Sequence, residues 1–545
     1  MKVKVIYLFL ILLCVSCARI VAPTGGEKDI MAPVVKNSYP KQNTTNFNGN
    51  KIEIKFNEYI VLDNPTQKLI VSPPLKHKPN VTSKLNTLYI TDIDSLQENT
   101  TYIFDFADAV MDFTENNHIP HFAFAFSTGE NIDTMAYSGV VLNAYSLKTE
   151  ANKYVVLYKS MDKDYQTKNI PDYITRTDSI GKFHFLNIKE GEYTLMTYED
   201  NNQNYIYDLP TEGVGFSTQR VTSLVDSLAV KQIDTILFSY AEDTVQKLES
   251  SKLLNNRELE LKFSMSVDSF QIEFIRPKFK EDYHYFCYKP KQDSNKVVKV
   301  FAGKEYTFDT LECIVKTSKG FEEKVEKYTK KSRGKKEERK RFSFSAPPTT
   351  YPYYEKLTLK MPFIQDIMKQ AFSAYLISEN DTTKIIFTND GAKDWNSYVS
   401  YHKLKPSTEY TLKIDSCVVN DFRDYKNDSA WFVFKVDSPD DYGSLTLSLF
   451  DDNPTEKQII LSLFDVSNKQ VGEDVIVKSN DKNIVFEHLK EGSYKVRAII
   501  DENSNGKWDR NDYFSHRQAE KVIFFPKRIN VRNSWVSEED WKISY

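Results

Sequence analysis

Asp501, Asn503, Asn505, Asp509 and Asp512 place side-chain oxygens at positions 1, 3, 5, 9 and 12 of one stretch, with Gly506 at position 6. Oxygen donors at that spacing, with a glycine where the chain must bend sharply, suit a calcium ion. Position 12 is Asp512 instead of a bidentate glutamate, which predicts a weaker site. Asp200, Asn202, Asn204 and Asp208 repeat positions 1, 3, 5 and 9, but Tyr205 replaces the glycine and Thr211 stands at position 12. This is the poorer site. Asp and Asn also cap turns by bonding their own backbone, so such loops fold without a metal too, and both readings stay open.

Other chemistry is thinly represented. The eight histidines are dispersed, and no Cys or carboxylate at zinc spacing joins His118 and His121. No P-loop, nucleophile elbow, metalloprotease helix or paired-cysteine motif occurs, so a non-enzymatic protein is expected. It requires no cofactor, and calcium is the one candidate ion. Net charge of -4 and a pI near 6.2 give no reason to expect nucleic acid. Between Lys324 and Arg341, ten Lys or Arg face three Glu. Its densest part is Lys330, Lys331, Arg333, Lys335, Lys336, Arg339, Lys340 and Arg341. Such a block is a solvated loop or a contact for anionic head groups or an acidic partner.

The chain start indicates a compartment. Lys2 and Lys4 precede an apolar run from Val5 to Val15 and then Ser16-Cys17, the pattern of a lipoprotein signal (1–17) with Cys17 as the lipidated mature N-terminus. The run is too short to span a bilayer. Cys14 follows Leu13, a poor cleavage neighbour, so Cys17 is the better acceptor; an ordinary cleaved signal is the alternative. An outer-membrane protein anchored by lipid is expected, with the cell surface preferred to the periplasmic face.

The rest of the chain alternates with period two. Tyr 33 and Phe 35 against Gly 17 favour strands, because aromatic side chains suit a pleated half-buried surface. An all-β chain of tandem sandwiches is expected. Phe183–Asp208 and Ile484–Asp509, 301 positions apart, share nine of twenty-six residues, including Lys-Glu-Gly turns at 189–191 and 490–492. Leu96, Thr100, Tyr102, Phe104, Phe124 and Phe126 recur 308 positions later as Leu404, Thr408, Tyr410, Leu412, Phe432 and Phe434. The near-equal offsets imply duplication of a two-domain unit around an insert. After the signal only Cys287, Cys313 and Cys417 remain, which cannot all pair; a Cys287–Cys313 bond stays open.

Two resemblances give this organisation names. Pro23-Thr-Gly-Gly-Glu-Lys-Asp29, Tyr39-Pro40, Ile52, Ile54, Phe56, Ser72-Pro-Pro74 and Asn99-Thr-Thr-Tyr102 resemble the bacterial Ig-like domain first described in surface-layer proteins, in its lipoprotein form. This implies a sandwich without a catalytic site. Gly191-Glu-Tyr193 and Glu212-Gly-Val-Gly-Phe-Ser217 are similar to the prealbumin-like modules found beside secreted carboxypeptidases and surface transporters. The expected domains are a linker at 18–31, an Ig-like domain at 32–130 and a prealbumin-like sandwich at 133–240. They continue with an insert at 243–348 carrying the basic loop 324–341, a second Ig-like domain at 350–437 without the Ser-Pro-Pro turn, and a second prealbumin-like sandwich at 440–545.

A third pattern is Asp, then Ser or Thr, then an apolar, Thr or Ala residue, as at Ser95, Thr134, Ser179, Ser227, Thr235, Thr244, Thr310, Thr382 and Ser429. It resembles the acceptor sequence of a general O-glycosylation system of exported proteins in one large group of Gram-negative bacteria; equally, Asp-Ser and Asp-Thr open turns before strands. The expected role is a scaffold or accessory subunit that binds a membrane or surface protein. The alternative is a glycan-binding accessory of a nutrient-uptake system, for which Trp395, Trp535 and Trp541 leave the question open.

Overall fold

The computed structural model describes residues 29–94, 96–209, 211–225, 233–240, 246–255, 258–276, 285–288, 296–302, 310–328, 341–362, 371–379, 381–389, 396–421, 424–451, 457–478 and 481–544. Strands make up 53% of the described residues and helix 3%, so the class is all-β. No helix among the described residues is long and apolar enough to cross a membrane. Cys17, Ser95, Ser227, Thr244, Lys330, Lys331, Arg333, Lys335, Lys336, Arg339 and Lys340 lie outside the described residues. Two compact units are present: Met1–Ser239 with Asp512–Gln518, and Tyr240–Asn511 with Ala519–Tyr545.

The first unit opens with a sandwich. One sheet runs Val35–Tyr39, Ile52–Phe56, Thr87–Thr91, Asn80–Lys84, and the other runs Ile70–Ser72, Thr101–Asp105, Ala123–Ser127. Alternate residues point inward, so Ile52, Ile54, Phe56, Leu88, Ile90, Tyr102, Phe104 and Phe126 meet in one core. The next sandwich centres on Met135–Asn143, paired antiparallel to Lys182–Ile188 and parallel to Asp234–Phe238. Its facing sheet runs Tyr173–Arg176, Tyr154–Tyr158, Glu192–Tyr198, Val214–Phe216.

That facing sheet is apolar on both sides. Val155, Leu157 and Leu195 point into the sandwich core, while Val156, Tyr158, Met196 and Tyr198 point outward and are equally buried. The outward side is roofed by Ile70 of the first sandwich, by Tyr207, and by Tyr513 of the Asp512–Gln518 segment. Tyr207 and Tyr513 meet edge to face at 5.8 Å. The strand Glu192–Tyr198 is therefore a nearly unbroken run of buried side chains, and its period-two signal fades.

The second unit repeats this plan after an insert. The insert packs a four-stranded sheet (Leu248–Asn255, Glu258–Phe263, Val297–Ala302, Tyr285–Tyr288) on a three-stranded one (Phe270–Arg276, Thr310–Thr317, Glu322–Tyr328). Cys313 is a free thiol in its core, and burial pushes its pKa up to about 12. The Cys287–Cys313 bond left open by the sequence is thus absent. Cys417 is free and exposed.

Beyond the insert, seven strands form one continuous sheet in the order Thr350–Tyr351, Ala430–Val436, Glu409–Ile414, Ala371–Ser378, Asp381–Thr388, Ser397–Ser400, Leu357–Lys360. The first sandwich instead divides its strands among separate sheets. The two still share a corner: Tyr102 Oη accepts from Gln97 N at 2.8 Å, and Tyr410 Oη accepts from Lys405 N at 3.1 Å. Asn99 and Ser407, at φ 49° and 58°, turn the chain at equivalent places. The last sandwich centres on Gly443–Asp451, antiparallel to Ile484–Leu489 and parallel to Val536–Ile543, the same plan as Met135–Asn143 and its neighbours.

Candidate functional site

The two Asx loops match nearly bond for bond. Asp501 Oδ1 accepts from Asn505 N at 3.1 Å and Oδ2 from Gly506 N at 2.8 Å; Asp200 accepts from Asn204 N and Tyr205 N at the same two distances. Asn505 Oδ1 accepts from Lys507 N at 2.8 Å, as Asn204 Oδ1 does from Ile206 N. Asn503 and Asn505 donate their side-chain amides to Asp509, and Asn202 and Asn204 donate theirs to Asp208. Asp501 and Asp200 each end or follow a buried strand, so the strand fixes the first ligand position of each loop.

A second carboxylate closes each loop, and it is not the one the spacing indicated. Glu520 accepts from Glu502 N at 2.9 Å and from Asp509 N at 3.0 Å. Glu212 accepts from Asn201 N at 2.9 Å and from Asp208 N at 3.3 Å. Glu212 follows Asp200 by 12 positions and Glu520 follows Asp501 by 19; the seven extra residues match the length of Asp512–Gln518, the segment that joins the first unit. Asp512, expected at position 12, instead caps its own turn: its carboxylate accepts from Ser515 N at 3.2 Å, and its backbone pairs with Arg517. Its pKa is lowered by the hydrogen bond with Ser515. Counting along the sequence could not find Glu520, because the insertion moved it beyond the loop.

Burial raises the pKa of Glu212 and of Glu520, and the charges of Asp501 and Asp509 add to the effect on Glu520. Three carboxylates thus converge on the second loop. Each faces backbone N–H or amide donors, and among the described residues no group of three or more His, Cys, Asp and Glu is arranged to hold a metal ion. A cation would have to rotate Asn503 and Asn505 away from Asp509 so that their oxygens pointed inward.

The described Ser and Thr acceptors share a setting. Thr134, Ser179, Thr235, Thr310, Thr382 and Ser429 are all exposed, each at or just before the start of a strand. Asp178, before Ser179, accepts from Ile180 N and Lys182 N at 2.9 and 2.8 Å, an Asx turn. Exposure suits modification, and the capping suits turn opening. Of the basic block, Lys324, Lys327 and Arg341 are described: Lys324 and Lys327 lie on the strand Glu322–Tyr328 and not in the expected loop, with Lys324 paired to Glu312 and Glu326, while Arg341 lies 3.6 Å from Asp428 and is exposed. His118 Nδ1 lies 2.7 Å from Asp108 O, in an exposed loop.

Among the tryptophans, Trp541 is core and packs on Phe525, Trp535 is exposed, and Trp395 lies outside the described residues. Trp431, which the sequence did not single out, is 59% exposed on the solvent face of the seven-stranded sheet. The Lys413 ammonium sits 5.4 Å from its ring centre and 5.7 Å from that of Tyr375 on the next strand.

Comparison with known proteins places part of this chain. Residues 29–128 match the bacterial Ig-like domain family. That segment is similar to an Ig-like domain. Sandwiches of this type are typically non-catalytic, and surface-type Ig-like domains suggest a cell-surface scaffold or accessory role. Among solved structures, the FN1–FN3 domains of chicken CNTN1 are similar at 10% identity, covering 52% of this chain and 98% of theirs, with a TM-score of 0.14. BcpA, the major pilin subunit of Bacillus cereus, is similar at 12% identity over 75% of this chain and 98% of its own, and an S-layer protein, rSbsC, at 12% over 91% and 67%; both TM-scores are 0.14. No curated protein matches.

Proposed function

We propose that this chain is a non-enzymatic scaffold or accessory subunit, anchored in the outer membrane by lipid on Cys17, that binds a membrane or surface protein. The observation that carries the reading is the Ig-like domain at 29–128, which begins 12 residues after Cys17 and is followed by further sandwiches with cores of their own. Several sandwiches in one chain offer many loops and sheet edges that recruit partners. Calcium held by Asp501, Asn503, Asn505, Asp509 and Glu520 would stiffen the last sandwich. Affinity purification of the tagged protein from detergent-solubilised membranes tests the reading: a stoichiometric membrane protein supports it, and recovery of the chain alone removes it. An intact mass equal to that of the lipidated polypeptide would remove O-glycans from the account.

One observation favours a second reading, a glycan-binding accessory. Trp431, Lys413 and Tyr375 lie in register on adjacent strands and form an open aromatic face. Retention of a glycan by the purified chain, lost in Trp431→Ala, would support it.

A further inference from the structure

The first sandwich has two unlike ends. Where the chain enters, Ile30, Met31, Val34, Tyr59, Leu85 and Phe113 stand in solvent, each between 59% and 81% exposed. They belong to four separate segments, yet hydrogen bonds join those segments. Val34 N donates to Asn57 Oδ1 at 2.6 Å, and Asn57 N returns to Val34 O at 3.0 Å. Phe113 N donates to Tyr59 O and Ile60 N to Leu85 O, both at 3.0 Å. Asn117 Nδ2 reaches Asp29 O at 3.0 Å and Met31 O at 3.2 Å. The loop that carries Phe113 is held by Asp112, whose buried carboxylate accepts four consecutive backbone N–H groups, Thr114 to Asn117, at 2.5 to 3.1 Å. At the opposite end the residues are polar and occupied: Thr128 Oγ1 donates to Gln97 O, and Asp133 N donates to Thr101 Oγ1.

We propose that the entry end of the first sandwich seats in the interface of a lipid bilayer, with Tyr59, Leu85 and Phe113 among the head groups and first acyl carbons. The proposal rests on the reading of Cys17 as a lipid anchor. Asp29 lies twelve positions after Cys17, a reach of at most about 40 Å when extended, and Asp29 is bonded to this end of the domain. An anchored chain therefore brings this end, and not the other, to the membrane surface. Contiguous exposed apolar groups mark contact sites, and aromatic side chains settle at membrane interfaces. The end also carries Asp29, Glu58 and Glu115 beside the exposed Lys36, Lys55 and Lys84, a rim of mixed sign; burial and then the neighbouring carboxylates Asp112, Asp29 and Glu58 raise the pKa of Glu115. A surface so charged fits zwitterionic head groups better than anionic ones.

The experiment supplies the tether artificially, so that it does not depend on acylation. The mature chain with an N-terminal hexahistidine tag, and with Cys17, Cys287 and Cys417 replaced by Ser, is held on phosphatidylcholine vesicles through a nickel-chelating lipid. An environment-sensitive thiol label is placed by Phe113→Cys, by Tyr59→Cys, and by Val466→Cys as an exposed control far along the chain. Nitroxide-bearing lipid should quench the labels at 113 and 59 at least twofold more than the label at 466, and replacing a third of the lipid with phosphatidylglycerol should lower the difference. Equal quenching at all three positions overturns the proposal, as does dimerisation through this end before vesicles are added. Stronger quenching with phosphatidylglycerol overturns the assignment to zwitterionic lipid. Mass spectrometry of the native N-terminal peptide tests the anchor separately: an acylated Cys17 with no quenching removes the interface contact alone, and quenching without acylation removes the anchor alone.

Discussion

Tyr205 and Gly506 hold the same place in two loops 301 positions apart: both have positive φ, 60° and 73°, and both donate N–H at 2.8 Å to the aspartate five residues earlier. Left-handed backbone costs an L residue roughly 1–2 kcal/mol, so the first loop carries a strain the second avoids. Tyr205 offsets it by packing edge to face on Tyr154 at 5.7 Å, with the Lys78 ammonium 5.5 Å from its ring.

The two positions should therefore respond differently. Gly506→Ala adds a Cβ 3.3 Å from the end of the Ile476 side chain and is expected to cost about 1 kcal/mol, mostly in backbone strain. Tyr205→Gly relieves the strain but removes the ring and should cost about 2 kcal/mol. Amide exchange of the loop in the intact chain measures both. The reverse order would mean that backbone strain outweighs the aromatic packing.

Glu520 and Asp512 make a second contrast. In Glu520→Gln one carboxylate oxygen becomes an amide nitrogen facing a backbone N–H, leaving a buried donor unmet, and about 1–3 kcal/mol should be lost. Asp512→Asn keeps an acceptor for Ser515 N at an exposed turn and should change stability by less than about 0.5 kcal/mol. Denaturation of the two full-length variants side by side decides which acid closes the loop; a larger loss in Asp512→Asn would restore the position-12 assignment.

Calcium should act on the second loop first. With a dissociation constant of about 1 mM, 10 mM calcium would stabilise the folded state by about 1.4 kcal/mol. Calorimetry and the melting shift of the intact chain should respond, and Asp501→Asn with Asp509→Asn should abolish both signals. No heat and no shift in the wild type at millimolar calcium would end the metal reading.

The legible and illegible parts of this chain differ for physical reasons. Strands such as Ile52–Phe56, buried on one face, alternate in sequence as they do in space, and the class follows. Asp501, Asn503, Asn505 and Asp509 fall in one local loop, so spacing was enough to bring them together. Glu520 was hidden by a seven-residue insertion. The roof over Tyr198 was hidden because Ile70 and Tyr513 come from elsewhere in the chain. The apolar end of the first sandwich was hidden for the same reason: Val34, Tyr59, Leu85 and Phe113 come from four separate segments, and only backbone pairing assembles them.

Asp112 gives the last prediction, because it holds one corner of that end. Burial alone would raise its carboxyl, but four backbone N–H donors outweigh burial and lower its pKa. The folded-state value lies below the unfolded one, about 3.9, so its contribution is complete above that pH and is lost as pH falls through the lower folded value. The loop 113–117 should therefore keep its exchange protection at neutral pH and lose it only in acid below about pH 4. Asp112→Asn, in which an amide NH2 replaces one acceptor oxygen, should open the loop at every pH by about 2 kcal/mol and flatten that acid dependence. Amide exchange at Thr114 to Asn117 between pH 3 and 7 measures both effects, and a loop that loosens equally with pH in the variant would remove Asp112 as its titrating clasp.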